Sequence, residues 1–419
     1  MALALYSTLF RLLLPLFALR LLFRSRNAPS YRARMLERLG ISAPVGGKPF
    51  WIHAVSVGEV IAISPLVERL LLSHPNLPIL VTTMTPTGAS QVTQRFAGRV
   101  HHRYIPWDTP GSVKRFLQRQ QPFAGLIVET ELWPNLLNQC QLRGVPLLLA
   151  NARLSAKSMR GYQRFKSLTA IALNALTHIC AQHSDDAKRF IELGVDPLRI
   201  SVDGSVKYDL NIANTDLSQG KSWRNQLGAD RPVLIAASTH EGEDAIALGA
   251  WSQLKAQFPK LALILVPRHP ERFNSVASLA ARFSDAVVRR SSEHPPSEDT
   301  EVWIGDSLGE LLSYYAAADV AFVGGSFSGT GGHNPLEPAA LGKPIIMGPS
   351  RYNFAAISRE LEEEGALFEV SGTDELAQRA RELFSKTNST SASEAGLRVV
   401  ERNRGALERL LLQVERHLL

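Results

Sequence analysis

The chain has 419 residues, 45% of them hydrophobic and 20% charged, with a formal net charge of +7. That length exceeds one ordinary core and implies two or three domains, and the balance of apolar and charged residues excludes a disordered chain. Cys140 and Cys180 are the only cysteines and form no C-x-x-C spacing, so neither a disulfide framework nor a cysteine metal site is expected, and a reducing compartment fits.

The positive charge is concentrated at the start. Residues 1–40 hold seven arginines (Arg11, Arg20, Arg24, Arg26, Arg32, Arg34, Arg38) against Glu37 alone, which is six of the seven net charges. A nucleic-acid-binding surface needs basic patches in the body as well, so no nucleic acid is expected and anionic membrane lipid is the better partner. Met1–Phe23 is apolar and long enough to span a bilayer, which takes about 20 residues. Arg11 would then lie near mid-membrane at a cost of about 2.5–3.5 kcal/mol on insertion scales, and Arg11 and Arg20 fall on opposite sides of a helix. The basic start and small-residue cleavage site of a signal peptide are missing. Residues 1–25 are therefore expected to form a membrane anchor, monotopic or marginally spanning, with the arginines after Ser25 meeting headgroups on the cytoplasmic side. The alternative is a helix packed on the protein's own body.

From Phe50 onward apolar runs alternate with amphipathic stretches. Strands are predicted at 50–55, 78–83, 101–106, 125–130, 146–151 and 178–182, separated by helical patterns such as 57–73, 111–121, 133–143 and 185–193. After a polar stretch from Asn211 to Lys221 the alternation restarts, with strands at 232–238, 261–267, 286–290, 302–305, 320–323, 344–347 and 366–370. Such alternation implies βαβ units and parallel sheets covered on both faces. Two series imply two doubly wound domains: 40–210, a linker at 211–230, and 231–396, followed by a closing helix at 397–419. The Ser/Thr-rich run Lys386–Gly396 reads as a mobile loop. Ligands of such sheets bind beyond the carboxyl ends of the strands, so the loops there are the candidate chemistry.

In the first domain, Val55-Ser56-Val57-Gly58 makes a turn and Glu59 enters the first turn of a helix, where the dipole favours a carboxylate. The fourth strand ends in Glu129-Thr130-Glu131 beside Trp133 and Pro134; alternation leaves open which carboxylate faces inward. Asn151 to Ser155 ends the next strand in polar and basic groups, and Lys207 can meet a phosphate or carboxylate as a point charge. In the second domain, His240-Glu241 lacks the second histidine of H-E-x-x-H, where Asp244 stands, so a zinc reading fails. Arg268-His269 and the Asp306 to Leu311 turn leave neighbouring strands. The richest segment is Val323–Pro349. A buried-type strand runs into five glycines, then His333 and Asn334, then a short helix carrying Glu337. Glycines admit close backbone approach to a ligand, a helix start favours an anion, and a carboxylate one turn in can accept from ribose hydroxyls. Asn334 spoils the G-x-G-x-x-G spacing and Pro344 the P-loop ending, which removes support for NAD-dependent hydride transfer and P-loop phosphoryl transfer.

Ser56 to Glu59, Glu129 to Asn135, Asn151 to Ser155, Pro267 to Phe273 and Gly332 to Pro338 resemble the motifs of 3-deoxy-D-manno-octulosonic acid (Kdo) transferases. The resemblance runs from the apolar N-terminus to about Phe354. It implies an α/β fold of two Rossmann-like doubly wound domains facing a cleft, the GT-B architecture, with an N-terminal membrane-associated helix. It implies transfer of Kdo from a CMP-Kdo donor to the lipid A precursor on the cytoplasmic face of the inner membrane, without a metal or other cofactor. By the same resemblance Glu59 is the general base, and Glu129 and Lys207 stabilise the transition state. Arg268, His269, Gly309, Glu310, Leu311, Asn334, Pro335, Leu336 and Glu337 bind CMP, with Glu337 on the ribose. A nucleotide-sugar epimerase of the same architecture, or a membrane-tethered nucleotide-sugar-binding protein without turnover, are the alternatives.

Overall fold

Ser56, Thr85 and Thr109 explain much of the first half of the structure. Each accepts a backbone N–H three residues on (Glu59, Gly88 and Ser112), and Pro86 and Pro110 follow the two threonines. These are helix starts fixed by N-caps and by proline at the first helical position. They set three helices directly at the ends of three strands. The computed structural model describes residues 1–26, 29–210, 212–292 and 294–419, without the side chain of Arg24. Asn211, with which the expected linker begins, and the Arg24 side chain lie outside the described residues.

The chain divides into two units, Met1–Asp209 with Arg404–Leu419, and Leu210–Asn403. The first holds β1 (Phe50–His53), β2 (Ile79–Thr83), β3 (His101–Tyr104), β4 (Ala124–Val128), β5 (Leu147–Ala152), β6 (His178–Ala181) and β7 (Ile200–Val202), in the order β3-β2-β1-β4-β5-β6-β7. Every pairing is parallel. β1, β2, β4 and β5 are buried at every position, as in a sheet covered on both faces. Trp51 packs with Phe116 and Leu137 on one face, and Ile52 with Ile63, Leu66 and Leu70 on the other.

The second unit holds β8 (Val233–Thr239), β9 (Ala262–Pro267), β10 (Val287–Arg289), β11 (Val302–Ile304), β12 (Val320–Val323), β13 (Ile345–Met347) and β14 (Leu367–Glu369), also all parallel, in the order β10-β11-β9-β8-β12-β13-β14. Both units are thus Rossmann-like. Strand order reverses once in each sheet, between β1 and β4 and between β8 and β12. Loops diverge at such a point and leave a crevice outside the carboxyl ends of the strands.

Four expectations are corrected. β7 was not foreseen; it is three residues long, ends exposed, and has no alternating pattern long enough to read. The segment expected as a linker is helical from Asn214 to Leu227 and belongs to the second unit. Gly220 makes this possible, since a Cβ there would lie 2.7 Å from the Ser313 carbonyl oxygen. The expected loop at Lys386–Gly396 is the first part of a helix, Lys386–Asn403. Its Ala392, Ala395, Gly396, Val399 and Val400 are buried, a helical stripe of small residues whose packing overrides the Ser/Thr composition. The single closing helix is two: the second, Ala406–His417, belongs to the first unit. There Asp209 accepts the N–H groups of Gly405 (2.7 Å) and Leu407 (2.6 Å).

Ala2–Arg24 is one helix, and Ala2–Phe23 within it is long and apolar enough to cross a membrane. One side is tied to the first unit. Tyr6 Oη donates to Asp108 Oδ2 (3.0 Å) and Ser7 Oγ to Asn135 Oδ1 (2.9 Å). The other side is an exposed stripe of Leu5, Leu9, Leu12, Leu16, Leu19 and Phe23, spaced three or four apart on one helical face.

Candidate active site

In the first unit the residues after β1 and β4, which flank the strand reversal, are carboxylates. Glu59 is held by a reciprocal cap. Its N–H donates to Ser56 Oγ (3.3 Å), while its carboxylate accepts from Ser56 Oγ (2.8 Å) and the Val55 N–H (2.7 Å). This resembles a capping box, with the N–H of the residue before the cap in place of the cap's own, and here the carboxylate is also buried, at 7% exposure. Burial pushes Glu59 up to about 7; its two hydrogen bonds oppose the rise, and the charges of Glu129 and Glu131 add to it.

Glu129 takes a left-handed backbone, φ +59°, uncommon for a residue with a side chain and a mark of a position over-determined by its surroundings. Its N–H donates to the Ala150 carbonyl (2.9 Å) and its carboxylate receives Lys207 Nζ (3.0 Å). Lys207 in turn is placed through Asn151, another left-handed residue (φ +52°), whose side-chain oxygen accepts the Val206 N–H (3.3 Å). Asn151 is thus a positioning residue for the lysine. The fate of the second carboxylate is also visible. Glu131 accepts from Trp133 Nε1 (2.7 Å), and the Trp133 ring meets the buried His53 ring edge-on. Burial raises the Glu131 carboxyl too.

Beside this cluster a cavity of about 400 Å³ lies between the N-terminal helix and the rest of its unit. Its wall includes Tyr6, Phe10 and Phe17 from the helix and Trp107, Leu132 and Trp133 opposite, with Arg20 and Arg38 as cations. The volume falls in the range of small-molecule sites, and the mix of aromatic walls with few polar groups is typical of them. Arg38 is 2% exposed; it stacks over the Tyr104 ring at 4.5 Å and donates to the Met84 carbonyl (2.9 Å). No property of its sequence neighbours distinguishes this arginine from the six others at the N-terminus.

In the second unit the residues flanking the reversal are histidines, and a basic pair, Arg268-His269, follows the neighbouring β9. His240 follows β8, and the glycine-rich loop after β12 ends in His333; their Nε2 atoms are 2.9 Å apart. The His269 ring meets that of His240 at 5.2 Å. Glu243, 1% exposed, ties the two loops together by accepting the N–H groups of His240 (2.8 Å), Gly325 (2.7 Å) and Phe327 (2.8 Å). Asp244 is bridged by Arg272 and by Thr239 Oγ1. Sequence reading passed over Glu243 and gave the two histidines no role, because their partners lie some ninety residues away.

Glu337 sits in the short helix Leu336–Ala340. Asn334 contacts its Oε1 (3.3 Å) and accepts the Leu336 N–H (3.1 Å), with Pro335 as the cap between them. Burial pushes the Glu337 carboxyl up to about 7, against the hydrogen bond from Asn334 and the charge of Arg268. Arg268 is exposed, with its N–H on the Thr239 carbonyl (3.0 Å). These predicted residues therefore share one electrostatic neighbourhood. The Gly309-Glu310-Leu311 turn stands apart. Glu310 is taken by Arg290 (2.9 Å) and Gln219 (3.0 Å); burial would raise its carboxyl, but the hydrogen bonds and charge of Arg290 together with the hydrogen bonds of Ser307 and Gln219 outweigh that and hold it low. Its helix, Leu311–Ala317, reaches Glu337 through the charge interaction with Tyr315.

Comparison with known proteins identifies the family. A family model described as 3-deoxy-D-manno-octulosonic-acid transferase (kdotransferase) matches residues 33–210. A 3-deoxy-D-manno-octulosonic acid transferase of Haemophilus influenzae is 43% identical over 411 residues, 97% of this chain and 96% of its own length. One from Bordetella pertussis is 36% identical over 425 residues, 98% of each chain. Among solved structures, a UDP-N-acetylglucosamine 2-epimerase has TM-score 0.55 at 15% identity, covering 89% of this chain and 98% of its own. A glycosyltransferase from Rickettsia africae has TM-score 0.53 at 13% identity, covering 88% and 97%. At those identities the two structures speak for the fold alone. With two relatives above 30% identity along nearly its whole length, the chain belongs to the Kdo transferases and is a glycosyltransferase.

Proposed function

We propose that the protein moves Kdo from CMP-Kdo to the lipid A precursor (lipid IVA) in lipopolysaccharide biosynthesis, by an inverting displacement and without a metal cofactor. The observation that carries the reading is the Glu59 carboxyl, buried and raised to about 7 at the strand reversal of the first sheet. A base with a pKa near the working pH is best matched to removing a proton from a hydroxyl, and contributes typically 10²–10⁴-fold. Glu59 takes the proton of the acceptor hydroxyl as its oxygen attacks the anomeric carbon. Lys207, held on Glu129, stabilises the charge that develops. In the second unit Glu337 accepts from the ribose hydroxyls, with Asn334, Pro335 and Leu336 fixing its turn. Arg268, His269 and the glycine-rich loop meet the phosphate, and Gly309, Glu310 and Leu311 border the nucleotide.

The acceptor side is supported by the aromatic cavity beside Trp133 and its arginines, which suit a lipid that is both acylated and anionic. The location we propose is the cytoplasmic face of the inner membrane. A helix tied to its own unit by Tyr6 and Ser7, with leucines along its free side, favours lying in the interface over crossing it. Radiolabelled CMP-Kdo with the lipid A precursor should yield labelled lipid. Bound CMP without labelled lipid would mean a binding protein instead, and labelled free sugar an epimerase. Deleting residues 1–25 should abolish flotation with anionic vesicles; unchanged flotation would remove the anchor.

A further inference from the structure

The two imidazoles at the strand reversal of the second sheet form a device that none of the roles above uses. The His240 and His333 rings are 13° from parallel with centroids 5.1 Å apart, while their Nε2 atoms are 2.9 Å apart. The rings therefore meet edge to edge, as in an N–H···N hydrogen bond, and not face to face. Both are fixed by backbone: the His240 N–H donates to Glu243 (2.8 Å) and the His333 N–H to the Gly324 carbonyl (3.0 Å). Gly325, at φ +70°, lets His333 approach, since a Cβ there would lie 2.8 Å from its Cδ2.

Such a contact holds one proton between the two rings. The ring that donates has a bare Nδ1 and the ring that accepts keeps its proton on Nδ1. The neutral pair thus keeps one donor and one acceptor at its two Nδ1 atoms. One added proton makes both Nδ1 atoms donors and the pair a cation. The charged and titratable groups that act on it are Arg268, His269, Arg272 and Glu243, with Asp244 paired to Arg272. The two carboxylates are engaged, Glu243 by three backbone N–H groups and Asp244 by Arg272 and Thr239.

We infer that His240 and His333 are a proton-coupled anion receptor, which takes up one proton as the phosphate of the nucleotide donor binds. The inference rests on the reading that this unit binds a CMP-sugar. Burial pushes His333 down to about 4 and lowers His240 as well, so the empty pair is neutral near pH 7 and a bound anion raises it. The charged pair also favours the reaction. As the bond from the anomeric carbon to the phosphate oxygen breaks, its electron pair stays on that oxygen and the phosphate goes from one negative charge to two. Donors aimed at charge that develops stabilise the departing group more than the bound donor.

Calorimetric titration of the full-length protein with CMP at pH 7.5, where the phosphate of CMP is almost wholly doubly ionised, in two buffers of different ionisation enthalpy, counts the protons. Uptake of roughly half a proton or more per CMP is expected. It should fall to near zero in His240→Asn and in His333→Asn, each binding CMP up to about tenfold more weakly. Binding without uptake, uptake unchanged in both variants, or uptake lost only in His269→Asn would each overturn the pair while leaving the CMP reading intact. No CMP binding by the unsubstituted protein would overturn the CMP reading itself. Should a variant not fold, nitrogen NMR of histidine-labelled unsubstituted protein decides. One imidazolium's worth of signal, shared between two rings, is expected on adding CMP, and rings that stay neutral would overturn the inference.

Discussion

Glu59 and Glu337 are the same device in opposite surroundings. Each is a carboxylate in the first turn of a helix near a strand reversal, and burial pushes each up to about 7. Around Glu59 the neighbouring charges are Glu129 and Glu131, which raise it further. Around Glu337 they are Arg268, which lowers it, and the histidines beyond. The first setting favours taking a proton from a neutral hydroxyl; the second favours receiving a ligand that brings negative charge. One motif thus serves two kinds of chemistry, and the neighbours decide which.

The largest test of this contrast is Glu59→Gln, which keeps the cap geometry but not the basicity. Turnover should fall by about 10²–10⁴-fold, with CMP affinity within about twofold of the unsubstituted protein by calorimetry. Retained turnover would rule Glu59 out as the base. Glu337→Ala should do the reverse, weakening CMP binding by about 10–100-fold, the scale of a lost hydrogen bond to a charged group; unaltered affinity would detach Glu337 from the nucleotide.

The pH profile sharpens the comparison further. Glu59 must be ionised to act, so kcat should decline below pH ~7 with an acid limb set by the raised carboxyl. Lys207→Met would leave the Glu129 charge uncompensated beside Glu59, and the limb should move up by about half a unit. A downward movement would mean that Lys207 does not shield this cluster. The smallest effect is on stability. The folded-state value of Glu59 lies above its unfolded value, so its contribution is fully present below about pH 4.3 and is lost as pH rises through about 7. Glu59→Gln should therefore gain on the order of 2 °C in Tm at pH 8 relative to its change at pH 4.5.

Thirteen of the fourteen strands among the described residues could be read from the alternation, most of them because a strand buried on both faces is a continuous apolar run bounded by polar turns. Their order could not, since nothing local in β1 says that β2 and β4 are its neighbours. Helix content was misread where packing outweighs composition. Lys386 to Gly396 looks like a loop until Gly396 meets the helix holding Glu337 and Ala392 joins the core of the second unit. At the site, the long motifs yielded Glu59, Glu129, Arg268 and Glu337 as candidates, and Lys207 stood out at the end of the first domain. The glycine-rich loop was legible as a ligand loop, but its staple Glu243 and the joining of His240 to His333 depend on contacts across some eighty to ninety residues. Arg38 was visible only as one of seven arginines.

The helix Ala406–His417 has a consequence for the order in which the protein is made. Ala406, Leu410, Val414 and Leu418 pack with Leu66, Val67 and Leu70 in the core of the first unit, yet they are synthesised after all of Leu210–Asn403. At about 5–20 residues per second, the ribosome takes roughly ten seconds or more over that intervening unit. Throughout this time one apolar face of the first unit waits uncovered, while the leucine-lined N-terminal helix is already outside the ribosome. The nascent first unit thus holds two apolar surfaces at once, and its early arrival at a bilayer or a chaperone would bear on how much of the protein matures.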